Sequence, residues 1–398
     1  MLKIDSKEKQ LTSANGQIRV YFDWAASAPQ YDSGITAVYG NPSSQHSEGR
    51  AAKAVIENAR ERCAAVLNVP PETLYFTSGG TESNSIALFS NLIRKGKGRV
   101  ISSLAEHASV REGMETLEKT GKPTGRISVD PAGRVTAQTL EKALEKFSDT
   151  RFAAIMAVNN ETGAVTDIPA IRDVLRGQKD NEASRAPIHF HCDLVQAIGK
   201  IPFDIQNWDI DSASISAHKI SGPQGIGLLY LKRPLEVFYS GGGQERGIRG
   251  GTENTHGAAA LADCLEKYAL ADNREMYLQA NARWNKLIAS LANIKRCTLI
   301  PAERGSQLSA PLFSPYILQA AFKDIPGEVM ARALDDLGFA VSTGSACASS
   351  SPERPVLLAM GVEESLRIEG IRISQGPSTT DKEIDLLLDG IREVLKFL

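Results

Sequence analysis

The run LYFTSGGTESNSIALFSNLIRK, residues 74–95, joins two periodicities at one turn. A short apolar and aromatic β-run ends at Thr77, the chain turns through Ser78-Gly79-Gly80, and a helix opens at Thr81-Glu82. A strand delivered into a helix by a glycine turn is the repeating unit of α/β architecture. Outward from it the same alternation recurs. The predicted strands are residues 20–23, 73–77, 99–103, 152–158, 188–193, 212–216 and 227–231. Between several of them lie helices with apolar stripes, as in 50–67, where Ala52, Val55, Ile56, Ala59, Cys63, Val66 and Leu67 share one face. Strands separated by helices imply crossover connections and a mostly parallel seven-stranded sheet covered on both faces. Sites in such sheets gather at the carboxyl ends of the strands.

After GGGQERGIRGGTEN (241–254) the pattern changes. Two long helical stretches, about 256–271 and 273–294, lead into an α+β unit. It has strands near 297–300, 339–343 and 368–374, and helices over 326–337, 352–360 and 380–397. The reading is a large domain over 20–272 and a smaller C-terminal domain over 273–398. The polar residues 1–19 are either disordered or packed on the small domain.

The 398 residues suffice for two domains, 42% hydrophobic and 23% charged, with 45 Lys+Arg against 47 Asp+Glu. A formal net charge of −2 argues against a dedicated nucleic-acid binder or an anionic membrane partner. No apolar run reaches the length of a membrane span, and the first residues lack a signal-peptide core. The five cysteines, Cys63, Cys192, Cys264, Cys297 and Cys347, are odd in number and contain no C-x-x-C pair. They support neither a disulfide framework nor a zinc site, and they fit a reducing, cytoplasmic setting.

Five segments can carry chemistry. The Gly79-Gly80 turn exposes backbone N–H groups at a helix start, which suits a phosphate as well as a plain βα turn. In SASISAHKISGPQGIG (212–227), Lys219 follows a strand in an uncharged stretch, flanked by Ser216 and His218. Desolvation there favours the neutral, nucleophilic amine of a Schiff-base former. In IHFHCDLVQAIGK (188–200), alternation puts Ile188, Phe190 and Cys192 on one face and His189, His191 and Asp193 on the other. Two histidines on one face tempt a metal reading, but no further ligands accompany them. Asp193 at the strand's end reads better as a carboxylate facing a buried cation such as a pyridinium. In AVNNETG, Asn159, Asn160 and Glu161 sit where a strand stops, able to bond a ligand or to cap a turn. Finally, Cys347 lies in VSTGSACASSSPERP among small residues with no periodicity to bury it, unlike the other four cysteines. A phosphate cup, a Schiff-base lysine and an acidic partner for a ring nitrogen together describe pyridoxal 5'-phosphate.

The chain resembles the class V aminotransferase-like, pyridoxal-phosphate enzymes of fold type I, and within them the cysteine desulfurases of iron–sulfur cluster assembly. The blocks that carry the resemblance run in family order from about Val20 to Phe397: YFDWAASAP, YGNPSSQHSEGR, FTSGGTES, EHASV, VNNETG, HCDLVQAIGK, SAHKISGPQGIG, GGGQERGIRGGTEN, STGSACAS and IRISQG. The resemblance implies that Lys219 holds the cofactor, Asp193 pairs with its ring nitrogen, and Gln196 and Asn160 bond its ring oxygen. His107 would stack on the ring and help with proton transfer, and Gly80, Thr81, Ser216 and His218 would bind the phosphate. Thr252 would reach the phosphate of a partner subunit in a homodimer with shared sites. Arg372 would clamp the carboxylate of the substrate, L-cysteine. Cys347 would take the sulfur as a persulfide, leave L-alanine behind, and pass the sulfur to an acceptor such as an iron–sulfur scaffold protein.

The G-S-A-C context resembles the subgroup with a long mobile cysteine loop. Residues 31–40 look shorter than usual, Gln375 and Pro377 are atypical, and the longer tail of many scaffold-binding members does not follow the last helix. Selenocysteine lyase, small-amino-acid transamination and a non-catalytic regulatory role are the rival readings. Cys347 favours desulfuration, since transamination needs no such thiol.

Overall fold

The computed structural model describes residues 3–4, 11–12, 18–30, 40–94, 98–177, 187–269, 274–305, 312–344 and 353–398. Cys347, the stretch 31–39 and the boundary at residue 272 lie outside them.

A seven-stranded sheet organises the larger part of the chain. Its order is Leu74–Thr77, Gly227–Leu231, Ser212–Ser216, His189–Asp193, Thr150–Met156, Arg99–Ser103 and Thr124–Ile127. The strand Gly227–Leu231 runs antiparallel to both neighbours and the other pairings are parallel. Alternation along each strand feeds two apolar layers. Ala153, Ile155, Phe190, Cys192 and Ile215 pack with the helices Ser47–Leu67, Ala137–Lys146, Ile168–Gly177 and Thr255–Tyr268. Phe152, Ala154, Leu229 and Tyr75 pack on the opposite face with Gly80–Ile93 and Ala108–Lys119. The expected stripe of the first helix is realised, with Ala52, Ile56, Ala59, Cys63 and Leu67 all buried.

The sheet has seven strands as expected, but one member differs. Residues 20–23 were assigned to it; instead Ile18–Tyr21 pairs with Phe339–Ala340 in a separate sheet, and Val20 and Phe22 pack among C-terminal residues such as Trp284, Phe322 and Ile373. The opening strand thus sides with the C-terminal elements. The vacant place is taken by the edge strand Thr124–Ile127, whose TGRI sequence has too little apolar character to announce itself. Gly125 is needed there because a Cβ would stand 2.7 Å from the Phe147 ring.

The C-terminal elements form a three-stranded antiparallel sheet, Cys297–Ile300, Ile317–Phe322 and Gly370–Ser374. Its central strand, wholly buried, escaped the sequence reading because ILQAAF alternates with neither period. The atypical Gln375 has a packing role: its Nε2 donates to the carbonyls of Ala280 (2.8 Å) and Pro315 (2.5 Å), tying the helix Arg274–Ala292 to this sheet. Among the described residues, no helix is long and apolar enough to cross a membrane.

Candidate active site

The carboxyl ends of the central strands open into a cavity of about 250 Å³. Eleven residues bear on the expectations: Gly80, Thr81, His107, Asn160, Asp193, Gln196, Ser216, His218, Lys219 and Arg372 line it, while Thr252 is exposed elsewhere. Cys347 lies outside the described residues.

The cup for an anion forms where Leu74–Thr77 turns into the helix Gly80–Ile93. The helix starts on Gly79 at φ 149°, and its first N–H groups have no intrahelical partners. A Cβ on Gly80 would stand 2.6 Å from Val195 Cγ2, so this wall of the cup admits no side chain. Ser216 ends the strand one place further on, beyond Gly227–Leu231, and His218 follows in the short turn Ala217–Lys219. Burial lowers the pKa of His218 to about 4, so its ring is neutral and keeps one N–H to give.

Lys219 reaches across to the opening segment, where its Nζ donates to the carbonyls of Ala25 (2.6 Å) and Ala26 (2.8 Å). Asp193 ends the middle strand of the sheet, nearly buried. Its Oδ1 accepts from the Val195 amide (2.9 Å) and its Oδ2 from Asn84 Nδ2 (2.8 Å). Gln196 donates from Nε2 to the Ala25 carbonyl (3.0 Å) and accepts on Oε1 from Lys200 Nζ. Burial holds that lysine's pKa well below the usual range. His107 caps the helix Ala108–Lys119, and burial lowers its pKa too.

The AVNNETG segment divides its labour. Asn159 Oδ1 accepts from the amides of Glu161 (2.9 Å) and Thr162 (3.0 Å), which is turn capping. Asn160 faces the cavity, and its buried Oδ1 has no hydrogen-bond partner among the described residues. Arg372, 1% exposed, donates from Nη1 to the Asn160 carbonyl (3.0 Å) and from Nη2 to Asp23 Oδ1 (3.0 Å), while its Nε is left without a partner. Both orphaned atoms belong to residues that line the cavity, where a bound ligand can satisfy them. A helix-start turn with unpaired amides, a buried carboxylate and a lysine on one cavity fit pyridoxal phosphate by the chemistry of the donor set.

Residues that sequence reading passed over also line the cavity: Asn84, Ser109, Met156, Val158 and Val195. The signal for Asn84 was a polar side chain on the sheet-facing stripe of a helix, where it is 1% exposed. The metal reading of His189 and His191 finds no support, since no group of three or more metal-ligating side chains occurs among the described residues. Both rings hydrogen-bond Ser212 Oγ at 2.8 Å instead. The four described cysteines pack as expected. Burial pushes the thiols of Cys63, Cys264 and Cys297 up to about 12, and that of Cys192 well above its usual value.

Comparison with known proteins agrees with this geometry. Residues 20–387 match the family described as Aminotransferase class-V. The chain is 37% identical over 392 residues to a "NifS/IcsS protein homolog" of Lactobacillus delbrueckii subsp. bulgaricus, covering 94% of this chain and 97% of that one. It is 34% identical to the "Cysteine desulfurase IscS" of Vibrio vulnificus, over 96% of this chain and 94% of the relative. Among solved structures, a "NIFS-LIKE PROTEIN" superposes with a TM-score of 0.83 at 34% identity, over 96% of this chain and 100% of the other. A second, "SspA in complex with cysteine", gives 0.72 at 28% identity, over 90% and 99%. With the match spanning nearly its whole length, this chain belongs to the class-V aminotransferase family of fold type I pyridoxal-phosphate enzymes.

Proposed function

We propose that this chain is a cysteine desulfurase that converts L-cysteine to L-alanine and passes the sulfur, as a persulfide on Cys347, to an acceptor. The observation that carries the reading is the convergence of Lys219, Asp193, His107 and Arg372 on one cavity beside an anion cup. Pyridoxal phosphate, when bound, supplies an electron sink conjugated to the substrate's α-carbon. Gly80, Thr81, Ser216 and His218 would hold its phosphate, Asp193 its ring nitrogen, and Gln196 and Asn160 its ring oxygen.

The chain's own groups then do the following. Arg372 binds the substrate carboxylate, which must displace or share the guanidinium with Asp23. Lys219 takes the α-proton as general base. The Cys347 thiolate attacks the substrate sulfur and forms a new S–S bond. As the Cβ–S bond breaks, its electron pair stays with carbon. His107 and Lys219 return protons to that carbon skeleton, which leaves as L-alanine. The persulfide sulfur goes to an acceptor protein, for which an iron–sulfur scaffold or a thio-modification enzyme is the proposed class.

We place the enzyme in the cytoplasm as a homodimer, with exposed Thr252 available to a partner subunit's phosphate. A large domain over 20–272 and a small one over 273–398 remain our division, except that residues 20–22 pack with the C-terminal elements. The deciding experiment incubates the protein with L-cysteine, a reductant and no keto acid. Alanine and sulfide form in equal amounts. Cys347→Ser keeps the cofactor and loses sulfide release. Absence of sulfide from the wild type, or sulfide release retained by Cys347→Ser, overturns the reading.

A further inference from the structure

Behind the cavity a single carboxamide spends its whole hydrogen-bonding capacity. Asn84 Nδ2 lies 2.8 Å from Asp193 Oδ2 and 2.8 Å from Ser109 Oγ. Its Oδ1 lies 2.9 Å from His191 Nε2 and 2.5 Å from Ser214 Oγ. A carboxylate only accepts, so the amide nitrogen must be the side that faces Asp193. The oxygen therefore faces His191, and His191 must carry its proton on Nε2. Its Nδ1 is then an acceptor, so Ser212 Oγ, 2.8 Å away, donates to it. Ser212 Oγ in turn accepts from His189 Nε2 (2.8 Å). Donors run one way from His189 to the carboxylate. Burial lowers the pKa of His191 to about 3, which keeps this ring neutral and the direction fixed.

The second amide hydrogen begins another branch. Ser109 Oγ accepts it and lies 2.9 Å from His107 Nδ1. That same Nδ1 accepts the backbone N–H of Ser109 at 3.2 Å, so it carries no proton. Ser109 Oγ must then donate to it, and the proton of the neutral His107 ring sits on Nε2. One side chain thereby touches both arms of the chemistry.

We propose that Asn84 is the positioning residue that couples Asp193 to His107, fixing the carboxylate with one amide hydrogen and, by turning the Ser109 hydroxyl onto Nδ1 beside the backbone N–H, reinforcing the imidazole tautomer with the other. The proposal rests on the reading of Asp193 and His107 as cofactor-facing groups. Its logic is that of an outer-shell partner, which sets the orientation and proton placement of a group it does not replace. Ser214 and His191 hold the amide against a flip, because a flipped Asn84 would set its oxygen against the Asp193 carboxylate and its nitrogen against two donors.

The test pairs two substitutions. Asn84→Leu keeps similar bulk and removes all four bonds, whereas Ser109→Ala cuts the branch to His107 alone. Holoenzyme labelled with 15N-histidine is read by NMR, with the signals of the six histidines assigned through His107→Gln and His191→Gln. Circular dichroism and a single melting transition establish that each variant folds. In Asn84→Leu the His191 ring signals leave the pure Nε2–H position and those of His107 shift with the loosened Ser109 hydroxyl. The same variant releases pyridoxal phosphate about 10- to 100-fold more readily, the range typical of outer-shell losses. In Ser109→Ala only His107 shifts, and cofactor retention stays within about twofold of wild type, as for a change that spares the Asp193 bond. Unshifted histidine signals in folded Asn84→Leu, or cofactor loss in Ser109→Ala equal to that in Asn84→Leu, overturns the proposal. A wild-type protein that takes up no pyridoxal phosphate overturns the functional reading instead, and the histidine signals of the cofactor-free chain still decide whether Asn84 is the hub.

Discussion

Two buried arginines divide the molecule. Arg60 and Arg372 are 2% and 1% exposed, and each faces a carboxylate. Arg60 meets Glu245 through two parallel bonds of 2.8 Å, while Glu245 also accepts the Phe76 amide at 2.7 Å. Its remaining Nη1 contact goes to the Leu74 carbonyl (2.7 Å). This pair staples the glycine-rich 241–254 segment to the edge of the sheet. Arg372 has a single 3.0 Å bond to Asp23, whose side chain is 22% exposed, and its Nε has no partner among the described residues. Burial raises the pKa of Asp23 despite the arginine beside it. Depth is the same in both places, and satisfaction is not. Here the pair whose valences are filled holds structure, and the one left open lines the candidate active site.

The comparison can be broken at either end. The largest effect belongs to Arg60→Met, which strands Glu245 as an unpaired buried charge at a cost of about 3–5 kcal/mol of stability. A denaturant titration reads it, and activity per folded molecule stays close to wild type. Arg372→Lys should leave the melting temperature nearly unchanged and lower kcat/KM for L-cysteine by about 100-fold, since a point charge replaces a two-pronged clamp. Were the stability effects reversed, the distinction between the pairs would be void.

Glu106 extends the series to a buried carboxyl with no ion-pair partner among the described residues. It accepts from Ser103 Oγ (2.5 Å) and the Met156 amide (3.0 Å), its Oε2 has no partner among the described residues, and burial pushes its pKa up to about 8. A carboxyl whose folded pKa is raised holds its proton more tightly folded than unfolded. Stability therefore falls as pH rises from about 4.5 toward about 8. Glu106→Gln should remove that slope and add on the order of 2–4 kcal/mol above pH 8, measured by melting across pH. The smallest effect is expected for Asp23→Asn. Freeing Arg372 from a partly exposed carboxylate should lower KM for L-cysteine about two- to fivefold, the equivalent of a weak ion pair.

Much of the site was legible because its residues stand at strand ends, where alternation and glycine turns leave marks. The two faces of His189–Asp193 could be assigned from period two alone, and the apolar set Ile188, Phe190 and Cys192 does enter the core. Lys219 and the Gly79-Gly80 turn were readable for the same reason. Asp23 was not, because its meeting with Arg372 joins residues 349 apart across two sheets. Asn84 was hidden by its helix, where a polar residue on the buried stripe looks like noise until its partners are placed. The strand Ile317–Phe322 was lost because a strand buried on both faces shows no alternation.

The strand Gly227–Leu231, antiparallel to both its neighbours in the seven-stranded sheet, has a further consequence. Gly227 pairs with Thr77 on one side and Ser216 on the other, so the lysine turn and the anion cup share one rung of the ladder. A Cβ on Gly227 would lie 2.7 Å from Gly79 Cα, which leaves that rung no slack. The ten residues between Ser216 and Gly227 therefore have a fixed length. Insertions can accumulate in the surface connections of this chain, but one added residue in that hairpin would pull Ser216 and Lys219 out of step with the cup they serve.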